Sequence, residues 1–294
     1  MEHYPPSHVP LAGSFGWAMS VDVEEWYHTC FVPEYVDPRR RPDSLVEELD
    51  WLLPEILAQF ADAGRRATFF VLGEVARRWP ERIREVVAAG HELACHGDWH
   101  FRVADHGGED GFRADLERAR KTLEDVTGVV VEGYRAPEWS LRDWRNPLVR
   151  TVATAGFRWD ASLTPCLGSG RRDNPRRPTR LVWHDGVELV VVPPLTFAGA
   201  LRLPACGWAG RLVGARRLTK AAIGSAKRGE LPLMTVHPWE LSIKPTPGRL
   251  TGMAYLLHEL GRQSFRPSFD SLLTSGPWRP IGEILQQEGT WRSE

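Results

Sequence analysis

The sequence predicts an α/β protein built as a β/α barrel, and three observations carry that expectation. Short apolar runs alternate with amphipathic stretches along most of the chain, the pattern of a parallel sheet with helical crossovers. No Gly-x-Gly-x-x-Gly follows the first apolar run, so the usual reason to expect an open dinucleotide-binding sheet is missing. Asp22, His96, Arg135, Asp160 and His237 each fall at or just past the end of a predicted strand, and in β/α barrels that face holds the chemistry. A chain of 294 residues is within reach of a single such domain with a short C-terminal addition.

Residues Trp17 to Glu24 read as a strand with an acidic end, followed at once by Glu25-Trp26-Tyr27-His28. Burying that end is expensive unless a cation meets it. Asp43-Ser44 is a helix cap, and Leu45 to Phe60 shows helical spacing, with Pro54 expected to kink or split the helix. Gly64 ends this unit and Ala67 to Leu72 is a buried strand. Pro80 opens a helix from Glu81 to Ala89 that Gly90 stops, and Glu92-Leu93-Ala94 leads into a histidine-rich stretch. A helix over Gly111 to Val126, a strand over Val129 to Tyr134 and a helix from Asn146 to Ala155 continue the alternation, which reaches Phe157-Arg-Trp-Asp160. Gly168 to Arg180 is a surface loop rich in Arg, Gly, Pro and Asn. Two apolar runs, Leu189 to Val192 and Leu233 to Val236, flank a basic helical stretch near Arg211 to Lys227. Helices over Met253 to Arg262 and Pro280 to Gln287 complete the chain.

With 37 basic and 38 acidic residues there is no net field to draw the protein onto nucleic acid or an anionic membrane. Cys30, Cys95, Cys166 and Cys206 are widely spaced, which excludes a zinc ribbon and a dense disulfide framework and favours buried thiols in a reducing compartment. The stretch Met1 to Gly13 lacks the basic start and apolar core of a secretory signal, and no later run is long enough to cross a bilayer, so a soluble, cytoplasmic protein is expected.

The chemistry centres on Gly90-His-Glu-Leu-Ala-Cys-His-Gly-Asp-Trp-His100, where His96 and His100 stand four apart on one helical turn or tight loop. Two imidazoles and one carboxylate with an open position form the ligand set of a hydrolytic metal site. The carboxylate comes from Asp22, Glu24 or Glu25; strand alternation puts Asp22 and Glu24 on one face, so one can bind metal while the other takes a proton. His237 then stands across the site as general acid, oriented by Asp160 or another carboxylate, and Arg135 keeps the catalytic carboxylate ionised. Trp26, Trp99, Trp139, Trp159 and Trp239 lie within four residues of these positions, and flat aromatic walls suit a sugar ring.

The motifs Ser20-Val-Asp-Val-Glu-Glu-Trp26, Thr68-Phe-Phe-Val-Leu-Gly73, His96-Gly-Asp-Trp-His100, Tyr134-Arg-Ala-Pro137, Trp159-Asp-Ala-Ser162 and Val236-His-Pro-Trp-Glu240 run in the order found in the polysaccharide deacetylases of carbohydrate esterase family 4, which the chain resembles. It looks closest to the exosortase-associated branch linked to exopolysaccharide synthesis. The resemblance implies a distorted (β/α)7 barrel over residues 1–240, a C-terminal extension over 241–294 packed on the same domain, and hydrolysis of N-acetyl groups on hexosamine units with a divalent metal, zinc above all. It makes Asp22 the base, His96 and His100 metal ligands, Arg135 the partner of the base, His237 the acid and Asp160 its support. Pro137 joins Trp26, Trp99, Trp139 and Trp239 along the substrate. The expected partner is an N-acetylated polysaccharide or oligosaccharide, with peripheral association to exopolysaccharide-synthesis machinery.

Two positions depart from the family pattern. Val23 follows Asp22 where a second aspartate is usual, which shifts the metal carboxylate to Glu24, favoured by strand geometry, or to Glu25. Gly97 replaces the usual Ser or Thr after the first metal histidine, so the loop must be steadied from elsewhere. The rival readings are a hydrolase of cyclic amides or ureides such as allantoin on the same scaffold, and a carbohydrate-binding protein without catalysis.

Overall fold

The structure is a computed structural model. It describes residues 5–28, 35, 37–42, 45–199, 202–244, 246, 250 and 252–289. Among the described residues ten strands share one sheet: β1 Ser7–Pro10, β2 Trp17–Val23, β3 Thr68–Val71, β4 Glu92–Cys95, β5 Gly133–Tyr134, β6 Trp159–Asp160, β7 Thr179–Val182, β8 Glu188–Val191, β9 Leu233–Val236 and β10 Trp278–Arg279. Their order is β1-β7-β8-β6-β5-β4-β3-β2-β10, with β9 also paired to β2. Every pair from β8 through β2 to β9 is parallel, while β1 and β7 run antiparallel at the far edge.

The α/β class is as expected, and the strand ladder is open between β8 and β9. Val192-Pro193-Pro194 follows β8, and two prolines in succession have no N–H to continue a ladder. The ends approach one another through the segment beyond: Leu195 N donates to the Leu233 carbonyl at 2.8 Å, and Cys206 bridges to Thr235.

Period-two alternation sorts the strand residues onto two faces. Met19, Val21, Val23, Phe69, Val71, Leu93 and Cys95 form the outer layer, buried against the helices Leu49–Asp62, Pro80–Ala88 and Glu109–Thr127. Ala18, Phe70, Ala94, Trp159, Ala161, Val190 and Leu233 form a separate inner cluster with Ile281, Ile284 and Leu285 of the helix Ile281–Gln287. That C-terminal helix seals the N-terminal end of the strands: Ile281 N donates to Thr68 Oγ1 at 2.8 Å and Gly282 N to the Glu92 carboxylate at 3.0 Å. Apolar residues therefore fill the lower part of the inner face, and Asp22, His96, Arg135 and His237 are left at its upper end.

Several elements differ from expectation. The first long helix begins at Leu49, after Leu45, and passes unbroken through Pro54, which forfeits only the bond to the Asp50 carbonyl near the helix start. Asp43-Ser44 lies outside the described residues, as does Cys30; the amides of Glu48 and Leu49 are met by the Glu25 carboxylate. The strand expected over Val129 to Tyr134 is confined to Gly133–Tyr134. The basic stretch near Arg211 is two helices, Gly207–Val213 and Ala215–Lys227, broken at Gly214. Sequence periodicity missed β1, β7, β10 and the helices Gly73–Arg78 and Arg262–Thr274. No helix among the described residues is long and apolar enough to cross a membrane.

Gly133 faces the Trp159 ring so closely that a Cβ there would stand 1.9 Å from Cζ2. Gly133→Ala must displace an indole at the centre of the inner cluster and should cost about 1–3 kcal/mol, the usual penalty of overpacking. Urea unfolding of the variant checks this; an unchanged midpoint would show that the inner face yields without loss.

Candidate active site

Glu24 leaves the end of β2 and presents one oxygen, Oε1, to two imidazoles, at 2.8 Å from His96 Nε2 and 2.9 Å from His100 Nε2. All three side chains are buried. His96 stands just past β4 and His100 in the loop beyond it, so the pair bridges a loop and forms no helical turn. His96 Nδ1 lies 2.8 Å from the Arg135 carbonyl, and only an N–H can face a carbonyl. A neutral His96 therefore turns a lone pair toward the carboxylate. Burial opposes ionisation of Glu24, yet the charges of His100 and His237 outweigh it and hold the carboxyl well below its ordinary range. Burial likewise lowers His100, and Glu24 more than reverses this, so its pKa is raised.

This donor set fits a divalent metal. A carboxylate oxygen ringed by two imidazole nitrogens must be balanced by protons or by a cation, and His96 donates its second nitrogen to a backbone carbonyl as metal-bound histidines do. Glu24, His96 and His100 bring one ligand atom each within 4.8 Å of one another, as do Asp22, Glu24 and His237.

Asp22, two residues before Glu24 on the same face, is held by Arg135 NH1 at 2.5 Å from Oδ1. The same nitrogen donates to Ser20 Oγ at 2.9 Å, and the guanidinium lies over the Phe70 ring at 4.0 Å. Asp22 Oδ2 is left facing His237 Nε2 across 4.0 Å.

His237 follows β9, and its Nδ1 lies 3.0 Å from Glu240 Oε2, which also accepts from the His237 amide at 3.0 Å. Glu240 is fully buried, with Arg211 Nε 3.3 Å from its other oxygen. Burial lowers the imidazole pKa, but Glu24, Glu240 and Asp22 together raise it to about 9.

The structure brings Asp22, Glu24, His96, His100, Arg135 and His237 together, and separates others from them. Glu25 points away to the helix start at Glu48 and Leu49, and burial pushes its carboxyl up to about 8. Alternation turns Trp159 and Ala161 inward, so Asp160 faces outward, away from His237. It accepts from Ser162 N at 3.1 Å and Ser162 Oγ at 2.5 Å; Ser162 Oγ in turn accepts from Ala136 N at 2.8 Å. Asp160 thus braces the loop after Arg135, and Glu240 is the carboxylate that orients His237. Glu240 was missed as a partner, although a glutamate three residues after a helix cap is the mark of a capping box.

A cavity of about 260 Å³ opens over the site, walled by Trp139, Trp208 and Trp239. Trp139 and the preceding Glu138 both adopt left-handed backbone, at φ 50° and 54°, strain of the kind that collects at functional sites. The indole N–H groups of Trp139 and Trp239 are buried without a partner among the described residues. Trp26 is fully buried behind Trp239 with its N–H on the Val46 carbonyl, Trp159 fills the inner cluster, and Trp99 lies over Arg77 outside this cavity. Pro137 is buried at the start of the turn that carries Trp139 and does not line the cavity. His28, Cys206 and Trp208 line the cavity without having been singled out; His28 stacks on His100 at 5.7 Å.

Gly97 has φ +92°, a conformation that disfavours Ser or Thr. Its loop is steadied by Asp98, whose amide donates to Asp115 and whose carboxylate meets Arg77 and Arg118, each at 2.6 Å.

The polysaccharide deacetylase family model matches residues 50–158, which include His96, His100 and Arg135. A chitooligosaccharide deacetylase of Sinorhizobium fredii is 36% identical over 104 residues, 35% of this chain and 47% of that one. A peptidoglycan deacetylase of Helicobacter pylori is 30% identical over 114 residues, 38% of this chain and 36% of that one. The chain thus spans half or less of the length of these relatives. A Mycobacterium smegmatis protein assigned as a polysaccharide deacetylase has the same fold, with a TM-score of 0.61 at 22% identity over 100% of both chains. The likeness to polysaccharide deacetylases is carried by residues 50–158 and by matches over 35% and 38% of this chain.

A raised imidazole pKa means that the folded chain holds the His237 proton more tightly than the unfolded chain, whose ordinary value is 6.5. This stabilisation is complete below about pH 6.5 and is lost as pH rises through about 9. Metal-free protein should therefore lose stability to urea across that window, and Glu240→Gln should flatten the loss. Equal slopes in the two proteins would remove Glu240 from the groups, with Glu24 and Asp22, that hold the cation.

Proposed function

We propose that the chain is a metal-dependent hydrolase that removes N-acetyl groups from hexosamine units of an exopolysaccharide or its lipid-linked precursor. The observation that carries this reading is the facing pair of Asp22 and His237, 4.0 Å apart beside a ready ligand set. An amide needs both a base for the attacking water and an acid for the departing amine, and the pair supplies one of each.

Glu24, His96 and His100 would hold the metal, with zinc the cation that two imidazoles and one carboxylate suit best. Such an ion, when bound, polarises the acetyl carbonyl and lowers the pKa of water. Arg135 occupies one oxygen of Asp22 and keeps the other free to accept the proton of the attacking water. His237, whose pKa the carboxylates of Glu24, Glu240 and Asp22 raise to about 9 in the metal-free chain, delivers a proton from Nε2 to the departing amine, while Glu240 fixes the ring through Nδ1. Glu240 acts as a positioning residue. The walls of Trp139, Trp208 and Trp239 exclude water and offer flat apolar area to a sugar ring. The names of the relatives support an N-acetylated carbohydrate as substrate. The ordered set of motifs from Ser20–Trp26 to Val236–Glu240 is what supports the exosortase-associated branch and with it an exopolysaccharide.

Acetate release from N-acetylated oligosaccharides, with metal content read by elemental analysis, tests the assignment. Asp22→Asn should keep its metal and lose about two or more decades of turnover, while Glu24→Ala should lose the metal itself. Unchanged turnover in Asp22→Asn would sink the role given to that carboxylate. Ring opening of allantoin without acetate release would overturn the substrate class.

A further inference from the structure

Beside the site lies a second, larger groove of about 1150 Å³, and Cys206 and Trp208 line both it and the catalytic cavity. Its walls are apolar, from Phe197, Leu203, Leu212 and Ala221 among others, and Leu203, Trp208 and Leu212 are 53%, 41% and 45% exposed. A soluble protein does not leave so much contiguous apolar surface open without an occupant.

The charge of the groove narrows the choice of occupant. Arg202, Arg217, Lys220 and Arg228 line it, and no acidic side chain does so among the described residues. Arg228 is paired with Glu230, whereas Arg217 and Lys220 are exposed neighbours three residues apart on the helix Ala215–Lys227. The chain as a whole carries a net charge of only −1, so this cationic rim is local. A molecule that fills both spaces needs an acetylated head at the catalytic end, a long apolar tail in the groove and an anionic group to meet Arg217 and Lys220.

We infer that the groove binds the tail of a long-chain lipid phosphate, so that the substrate of this site is an N-acetylated sugar carried on such a lipid. The inference rests on the deacetylase reading for the sugar and on the groove alone for the lipid.

Isothermal titration calorimetry with farnesyl phosphate tests the groove without any acetyl group. Saturable binding is expected, weakened at least tenfold in Leu212→Asp and in the double variant Arg217→Glu/Lys220→Glu. Farnesol and inorganic phosphate should each bind at least tenfold more weakly than farnesyl phosphate. Circular dichroism verifies that the variants fold, as substitutions at exposed positions allow. Absence of binding, indifference to these substitutions, or equal binding of farnesol overturns the inference even if soluble oligosaccharides are deacetylated. If farnesyl phosphate binds as expected but no acetylated sugar releases acetate, the groove assignment stands and the deacetylase reading fails.

Discussion

A single buried carboxylate oxygen, Glu24 Oε1, has two imidazole nitrogens within 2.9 Å, and the upper end of the inner face is arranged around that fact. An ionised carboxylate out of water is costly unless cationic groups surround it. His100 and His237 supply that charge in the metal-free chain, each with a raised pKa. The price is that their protons are coupled to one carboxylate, His100 at Oε1 and His237 across 4.0 Å at Oε2, so a metal bound there would compete with their protonation. Asp22 is held instead by Arg135 through Oδ1, so the two carboxylates on one strand face acquire different principal partners.

Much of this was legible in the sequence because strand alternation is rigid. Asp22 and Glu24, two apart, had to share a face, and the structure puts both within 4.0 Å of His237 Nε2. The same rule, applied to Trp159-Asp160-Ala161, shows why Asp160 cannot reach His237: the strand that buries its indole inward sends the carboxylate out. What alternation could not reveal was the partner of His237. Glu240 meets it through the geometry of a four-residue helix, Pro238–Leu241, whose register is local and whose trace in the sequence is only the spacing of a capping box.

The edge of the fold was harder to read for a different reason. β1 and β7 lie in stretches rich in Pro and Arg, and they pair antiparallel with each other outside the β/α alternation. Pro54 suggested a break that did not occur, because the helix starts close enough to it that one bond is lost and the apolar stripe of Leu52, Leu53, Ile56 and Phe60 keeps its burial. The groove was beyond sequence reading altogether. Its walls come from separate segments, near Leu167, from Phe197 to Gly199, from Arg202 to Trp208 and from Leu212 to Arg228, and only the fold juxtaposes them.

The helix Gly207–Val213 joins the two halves of the site. Gly207 must lack a side chain, since a Cβ there would stand 1.8 Å from Glu240 Oε2. One turn on, Arg211 lies against the other oxygen of Glu240, with no exposed surface on either side chain. Trp208 and Leu212, on the same short helix, face the groove. The element that anchors the partner of His237 is therefore also a wall of the apolar groove. A shift of this helix would move Arg211 away from the Glu240 carboxylate and leave a buried guanidinium without its carboxylate partner, a strongly unfavourable state. The buried partner of Glu240 and the wall of the groove are thereby carried on one short helix and held in one fixed relation.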